Sequence, residues 1–135
     1  MQMLKYQGSG VFAGPCHPLL ENDDLYVMDV TAALRSRVRR LAVIFLIRKR
    51  SVWLTLSEIC RGTGKTTNQV IGAVRGTVGE YEPKYSLLTL RIVQQREIVM
   101  SSRRKQKLYK LADMNEETFK LIESILDKYK KEGEL

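Results

Sequence analysis

The chain has 135 residues, 44% apolar and 28% charged, with 23 Lys plus Arg against 15 Asp plus Glu for a net charge of +8. That length suits one domain, and the composition supports a buried core rather than a disordered tail. Two cysteines and one histidine exclude a disulfide framework and a four-ligand zinc site. The charge is uneven: residues 30–112 hold 18 bases and four acids, while residues 1–29 and 113–135 each sum to −3. Because the acids are excluded from the middle rather than interspersed, a polyanion partner is favoured over simple solubility. The longest apolar run, Leu41 to Ile47, is seven residues between arginines. A membrane span needs about 20. The N-terminus lacks a basic-then-apolar signal. These features predict a cytoplasmic protein with no membrane partner, and no metal or cofactor is expected.

Residues 1–28 read as an irregular arm. Gly8, Gly10 and Gly14 stand near Pro15 and Pro18 with no periodicity, and Val11, Phe12, Leu19 and Leu20 could dock it. Cys16 and His17 read as a loop pair. Asp29 is a candidate N-cap for a helix over about 30–49, in which Val30, Leu34, Val38, Leu41 and Phe45 recur on one face. Arg35, Arg37, Arg39 and Arg40 fall away from that stripe. Ser51 to Leu54 is a connector with some strand character.

Residues 62–67, Gly-Thr-Gly-Lys-Thr-Thr, invite a phosphate-loop reading. That motif needs its first glycine at position 59, where Ile59 stands, and a preceding strand, where Leu56 and Ile59 are spaced as in a helix. The better reading starts from caps. Thr55 with Glu58 makes a capping box for a helix over about 56–63. Gly64 permits a turn of positive φ. Thr66 caps a second helix over about 66–77, with Val70, Ala73, Val74 and Thr77 inward. Two short helices joined this way form a helix-turn-helix.

The stretch from Thr55 to Arg75, with its Leu56-Ser57-Glu58-Ile59 opening, its turn Gly64 and its Ala73-Val74-Arg75 close, resembles the winged helix-turn-helix of prokaryotic transcriptional regulators, and most of all the archaeal ones. Cys60 replaces the usual alanine and Lys65 the usual apolar residue. The resemblance spans about residues 30–112. It implies a mainly α fold with a small β-hairpin wing (α+β), and double-stranded DNA as partner.

Downstream, Tyr85 to Leu90 suggests a short helix begun after Pro83. Arg91 to Ser101 and Leu108 to Leu111 suggest strands. Their hairpin, about 93–111, would be the wing. The link from Gly76 to Leu90 is longer than usual for the family. A last helix over about 115–131 carries Phe119, Ile122, Ile125, Leu126 and Tyr129 as an apolar stripe. In related regulators this helix pairs with its counterpart, so the resemblance implies a homodimer through that stripe. The alternative is packing back on the Leu41 to Ile47 core. The domain reading is therefore an arm (1–28), a winged helix-turn-helix (29–112) and a dimerisation helix (113–135).

On this reading Thr66, Thr67, Asn68, Gln69, Gly72 and Arg75 face the major groove. Asn and Gln can grip adenine, Arg can grip guanine, and Gly72 allows close approach. Arg61 and Lys65 suit phosphates, and Arg103, Arg104, Lys105 and Lys107 arm the wing. A winged-helix protein-interaction module and an RNA-binding module are the alternatives. The basic face argues against the first, and a wing tip without aromatics against the second. No enzyme is expected, because motif spacing assembles neither a carboxylate pair nor a nucleophile with its base. No effector pocket is legible.

Overall fold

The computed structural model describes residues 23–77, 79 and 81–135. Most of the expected arm, with Cys16, His17 and the four apolar residues that could dock it, lies outside the described residues. Five helices and a two-stranded antiparallel sheet follow in the order α1 (Asp23–Ala33), α2 (Arg37–Arg48), α3 (Leu56–Thr63), α4 (Thr67–Arg75), β1 (Val93–Val99), β2 (Lys105–Leu111) and α5 (Glu116–Lys131). This is the α+β architecture of a winged helix-turn-helix, with the helices as one layer and the hairpin as a small wing.

The helix expected over 30–49 is two helices, and the first begins at Asp23, inside the expected arm. Asp29 lies within α1 rather than at the start of a helix. The break has a local cause. Ser36 adopts an extended backbone, φ −74° and ψ 124°, and its hydroxyl accepts from the Arg39 amide. The carbonyls at the end of α1 and in the turn after it accept from arginines of the next helix. Arg39 Nη1 donates to Ala33 O at 3.4 Å, and Arg40 Nη1 to Leu34 O and Arg35 O at 3.0 and 2.8 Å. Arg39 and Arg40 are therefore buried, at 6% and 4% exposure, rather than solvated. Val30, Leu34 and Val38 stay buried across the break, so the spacing looked continuous.

Helices α3 and α4 form as their caps dictate. Thr55 and Glu58 complete a capping box, and Gly64 closes α3 in the left-handed region at φ 72°. Ile59, Val70, Ala73 and Val74 enter the core without exposure. After α4 the chain does not form the expected helix at 85–90. It makes a 3-10 turn, Pro83–Tyr85, and then irregular turns. The amides of Leu87 and Leu88 are spent on Ala73 O and Val74 O, at 3.1 and 3.0 Å, so this link caps the C-terminus of α4. Tyr26 Oη fastens the same link to α1 by donating to Leu90 O at 2.8 Å.

In the wing, Val93 pairs with Leu111 and Val99 with Lys105, so β2 starts three residues earlier than the apolar pattern indicated. Leu54 adds an antiparallel bridge to Tyr109. Helix α5 is capped by Asn115, and its stripe closes the chain's own core. Ile122 and Leu126 are buried there, and Phe119, Leu121 and Ile125 pack against it. Tyr129 lies under the Arg40 guanidinium at 3.9 Å, and Phe119 under that of Arg50 at 4.6 Å. Of the five residues expected as a dimer seam, Ile122 and Leu126 thus serve the protomer's own core, while Phe119, Ile125 and Tyr129 stay partly exposed. Among the described residues no helix is long and apolar enough to cross a membrane.

Candidate nucleic-acid interface

The site is built on the α3–α4 turn and the hairpin. Arg61, Thr66, Thr67 and Asn68 are exposed, and Lys65 is half-buried in the turn. The Thr66 hydroxyl accepts from the Gln69 amide at 3.2 Å, and Gln69 Oε1 accepts from the Thr66 amide at 3.1 Å. This second capping box commits the Gln69 oxygen to the helix. Gln69 cannot offer both amide atoms to adenine without breaking that cap, which leaves Asn68 as the exposed amide of the first turn.

Two expected groove residues are occupied by the protein itself. Gly72 is four positions from Asn68, on the same side of α4, but it is buried beneath Tyr81. A Cβ there would lie 2.6 Å from Tyr81 Cγ and closer still to Cδ2. The glycine admits the Tyr81 ring, not a base. The Arg75 guanidinium turns to the wing, with Nε 2.8 Å from the Tyr109 hydroxyl and Nη2 on the same oxygen. Only the N-terminal turns of α4 are left for a partner. Sequence reading missed Tyr81 and Tyr109, because both contacts join residues far apart in the chain.

The wing carries the charge. Between Val93 and Leu111 stand six bases and one acid, Glu97. Arg103, Arg104, Lys105 and Lys107 are all exposed. The ion pair of Lys120 with Glu116, at 3.5 Å, lies on α5, away from the wing, where Glu97 stands opposite Lys107 in the ladder. At the base of the wing the Trp53 ring is held between Arg96 and Lys110, at 4.5 and 5.0 Å. Tyr109 ties this base to the helices: its amide and carbonyl bond Leu54, each at 2.8 Å, and its hydroxyl bonds Arg75. Helix α4 and the hairpin are thereby joined directly by side-chain hydrogen bonds.

Among the described residues no cluster of three or more His, Cys, Asp or Glu side chains could hold a metal. A cleft of about 180 Å³, lined in part by Tyr26, Leu88, Arg91, Met114 and Thr118, opens between α1, the start of β1 and the start of α5. Burial lowers the pKa of Arg91 there. Nothing in the sequence marked this cleft.

The model of the EarA-like family matches residues 30–125, from within α1 to within α5. The chain belongs to the EarA-like family. The match runs past the hairpin, so α5 belongs to the EarA-like unit along with the helix-turn-helix and wing. No curated protein and no solved structure matches the chain.

Proposed function

We propose that this EarA-like protein binds double-stranded DNA sequence-specifically and regulates transcription, as its likeness to archaeal winged-helix regulators suggests, acting in the cytoplasm. The first turn of α4 enters the major groove, with Asn68 and Thr67 at base edges, while Arg61, Lys65 and the helix amides meet phosphates. The wing cations lie on the flanking backbone. The observation that carries this reading is the exposed cluster of Arg103, Arg104 and Lys105 at the tip, with Lys107 opposite Glu97 behind it, on a hairpin fixed to α4 through Arg75 and Tyr109. A protein-binding wing has no need of that charge.

One unit reads few base pairs, so specificity calls for two copies on half-sites about 34 Å apart. The pair forms through α5, where Phe119, Ile125 and Tyr129 remain partly exposed. The test is selection from random-sequence duplexes, followed by sequencing. A recovered two-fold motif supports regulator and pair together. Alanine at Arg103, Arg104 and Lys105 should weaken all duplexes alike and flatten the salt slope by up to about three phosphate equivalents. Absence of duplex affinity at low salt would favour a protein-interaction module.

A further inference from the structure

The wing tip combines three properties that phosphate contact alone does not call for. First, it is apolar as well as basic. Val99, at 69%, is the most exposed large apolar side chain among the described residues, and Met100 beside it is 40% exposed. Burying such side chains is favourable, so leaving them in water at a projecting tip makes sense where a partner covers them. Second, the stretch that follows them is cationic or small: Ser101, Ser102, Arg103, Arg104 and Lys105 complete the tip, all exposed.

Third, the tip is strained. Met100 N donates to Arg104 O at 2.7 Å and Arg103 N to Met100 O at 2.8 Å, which makes a three-residue loop. Its last residue must take the left-handed conformation, the place for glycine. Arginine is there instead, at φ 65°. A strained non-glycine residue persists where its side chain is wanted, and Arg103 is the outermost cation of the hairpin.

Resting on the DNA reading above, we propose that the wing is a wedge: Met100 enters the minor groove between base pairs, Val99 on the opposite face of the strand packs on the groove wall, and Arg103 and Arg104 are held in the groove and on its phosphates, and so the wing bends the duplex. The groove follows from the fold. The Arg75–Tyr109 bond holds the wing beside α4, and the groove next to the one α4 occupies is the minor groove. Methionine is among the side chains that serve as wedges, and arginine suits the negative potential of a narrow minor groove. The apolar pair explains what a purely electrostatic wing leaves without a role, and the cations explain why the apolar pair meets nucleic acid rather than a hydrophobic protein surface.

The experiment is ring closure by ligase of a mixed-sequence DNA fragment of about 120 base pairs, shorter than the ~150-base-pair persistence length and therefore slow to close unaided. The full chain should accelerate closure roughly tenfold or more at low salt, a size of effect expected when bends lower the elastic cost. Val99→Ser with Met100→Ser should bind the same fragment with an unchanged salt slope and leave closure at its unassisted rate. Both side chains are exposed, so the variant should fold, as thermal unfolding will confirm. If it does not, Met100→Gln alone replaces it. Binding by the wild type with no acceleration overturns the wedge and leaves the DNA reading standing. Unchanged acceleration by the serine variant also overturns the wedge. No binding of any duplex overturns both.

Discussion

Gly72 and Tyr81 should be energetically coupled, and the coupling can be worked out from their geometry. Replacing glycine by alanine inside a helix ordinarily stabilises by about 0.5–1 kcal/mol. At Gly72 the new methyl would sit 2.6 Å from Tyr81 Cγ. Cγ is the root of the ring, so the side chain cannot yield by flexing its tip. Overpacking of this kind costs about 1–3 kcal/mol, so Gly72→Ala should destabilise by a net ~0.5–2 kcal/mol once the propensity gain is subtracted. Tyr81→Ala removes a half-buried ring that lies 5.6 Å from the Arg39 guanidinium, and should cost about 1–2 kcal/mol. In the double variant the clash is gone and the propensity gain remains. It should therefore be no less stable than Tyr81→Ala alone, with a coupling of ~1–3 kcal/mol. Urea unfolding followed by far-ultraviolet dichroism, at constant m-value, measures all four corners. Additivity within about 0.5 kcal/mol would refute the contact. DNA binding offers a second check. If the glycine served approach to a base, the extra methyl would reduce duplex affinity in the Tyr81→Ala background too; if it serves the Tyr81 ring, affinity there should be unchanged.

Three further outcomes are expected. Arg40→Ala strips hydrogen bonds from Leu34 O, Arg35 O and Glu134 O together with the stack on Tyr129, and should cost about 3 kcal/mol in chemical unfolding, with Arg40→Lys recovering only part. Asn68→Ala should lose ~1–3 kcal/mol on the selected duplex and little on random DNA, whereas Gln69→Ala should lower thermal stability by about 0.5–2 kcal/mol through the cap, with a smaller loss of discrimination. Hydrogen bonds from the Thr55 amide and hydroxyl hold the Glu58 carboxyl below the usual carboxylate range. Its contribution is thus complete above its unfolded pKa and is lost as pH falls through the lower folded one. Glu58→Gln should flatten the acid limb of stability against pH in that window: the variant is less stable than the wild type near neutrality and converges with it at the acid end.

The helix-turn-helix was legible because its information is local. Thr55 with Glu58, Gly64 and Thr66 state their roles within three or four residues, and the structure has all of them in those roles. The hairpin was legible from the change of spacing and its basic tip. What escaped is carried by contacts between distant residues. The break at Ser36 depends on arginines reaching back to carbonyls, and the residues of a continuous stripe are buried on both sides of it. Tyr85 to Leu90 looked helical by itself, but its amides cap α4. The outward position of Gly72 and Arg75 on α4 was right as helical geometry. Tyr81 and Tyr109, 9 and 34 positions away, take those positions up. The α5 stripe likewise shows its own amphipathicity but does not say which apolar surface it meets.

Trp53 is the chain's single tryptophan, and its ring is packed between a cation of each wing strand. The protein therefore carries one indole fluorophore, excitable at longer wavelength than its six tyrosines, and it reports on the hairpin rather than on the helical body. Far-ultraviolet dichroism reports chiefly on the five helices. Following both signals through one denaturant titration separates opening of the wing from global unfolding. Coincident curves mean that the hairpin melts with the core to which Tyr109 ties it, while an earlier indole transition gives the free energy of detaching the wing alone.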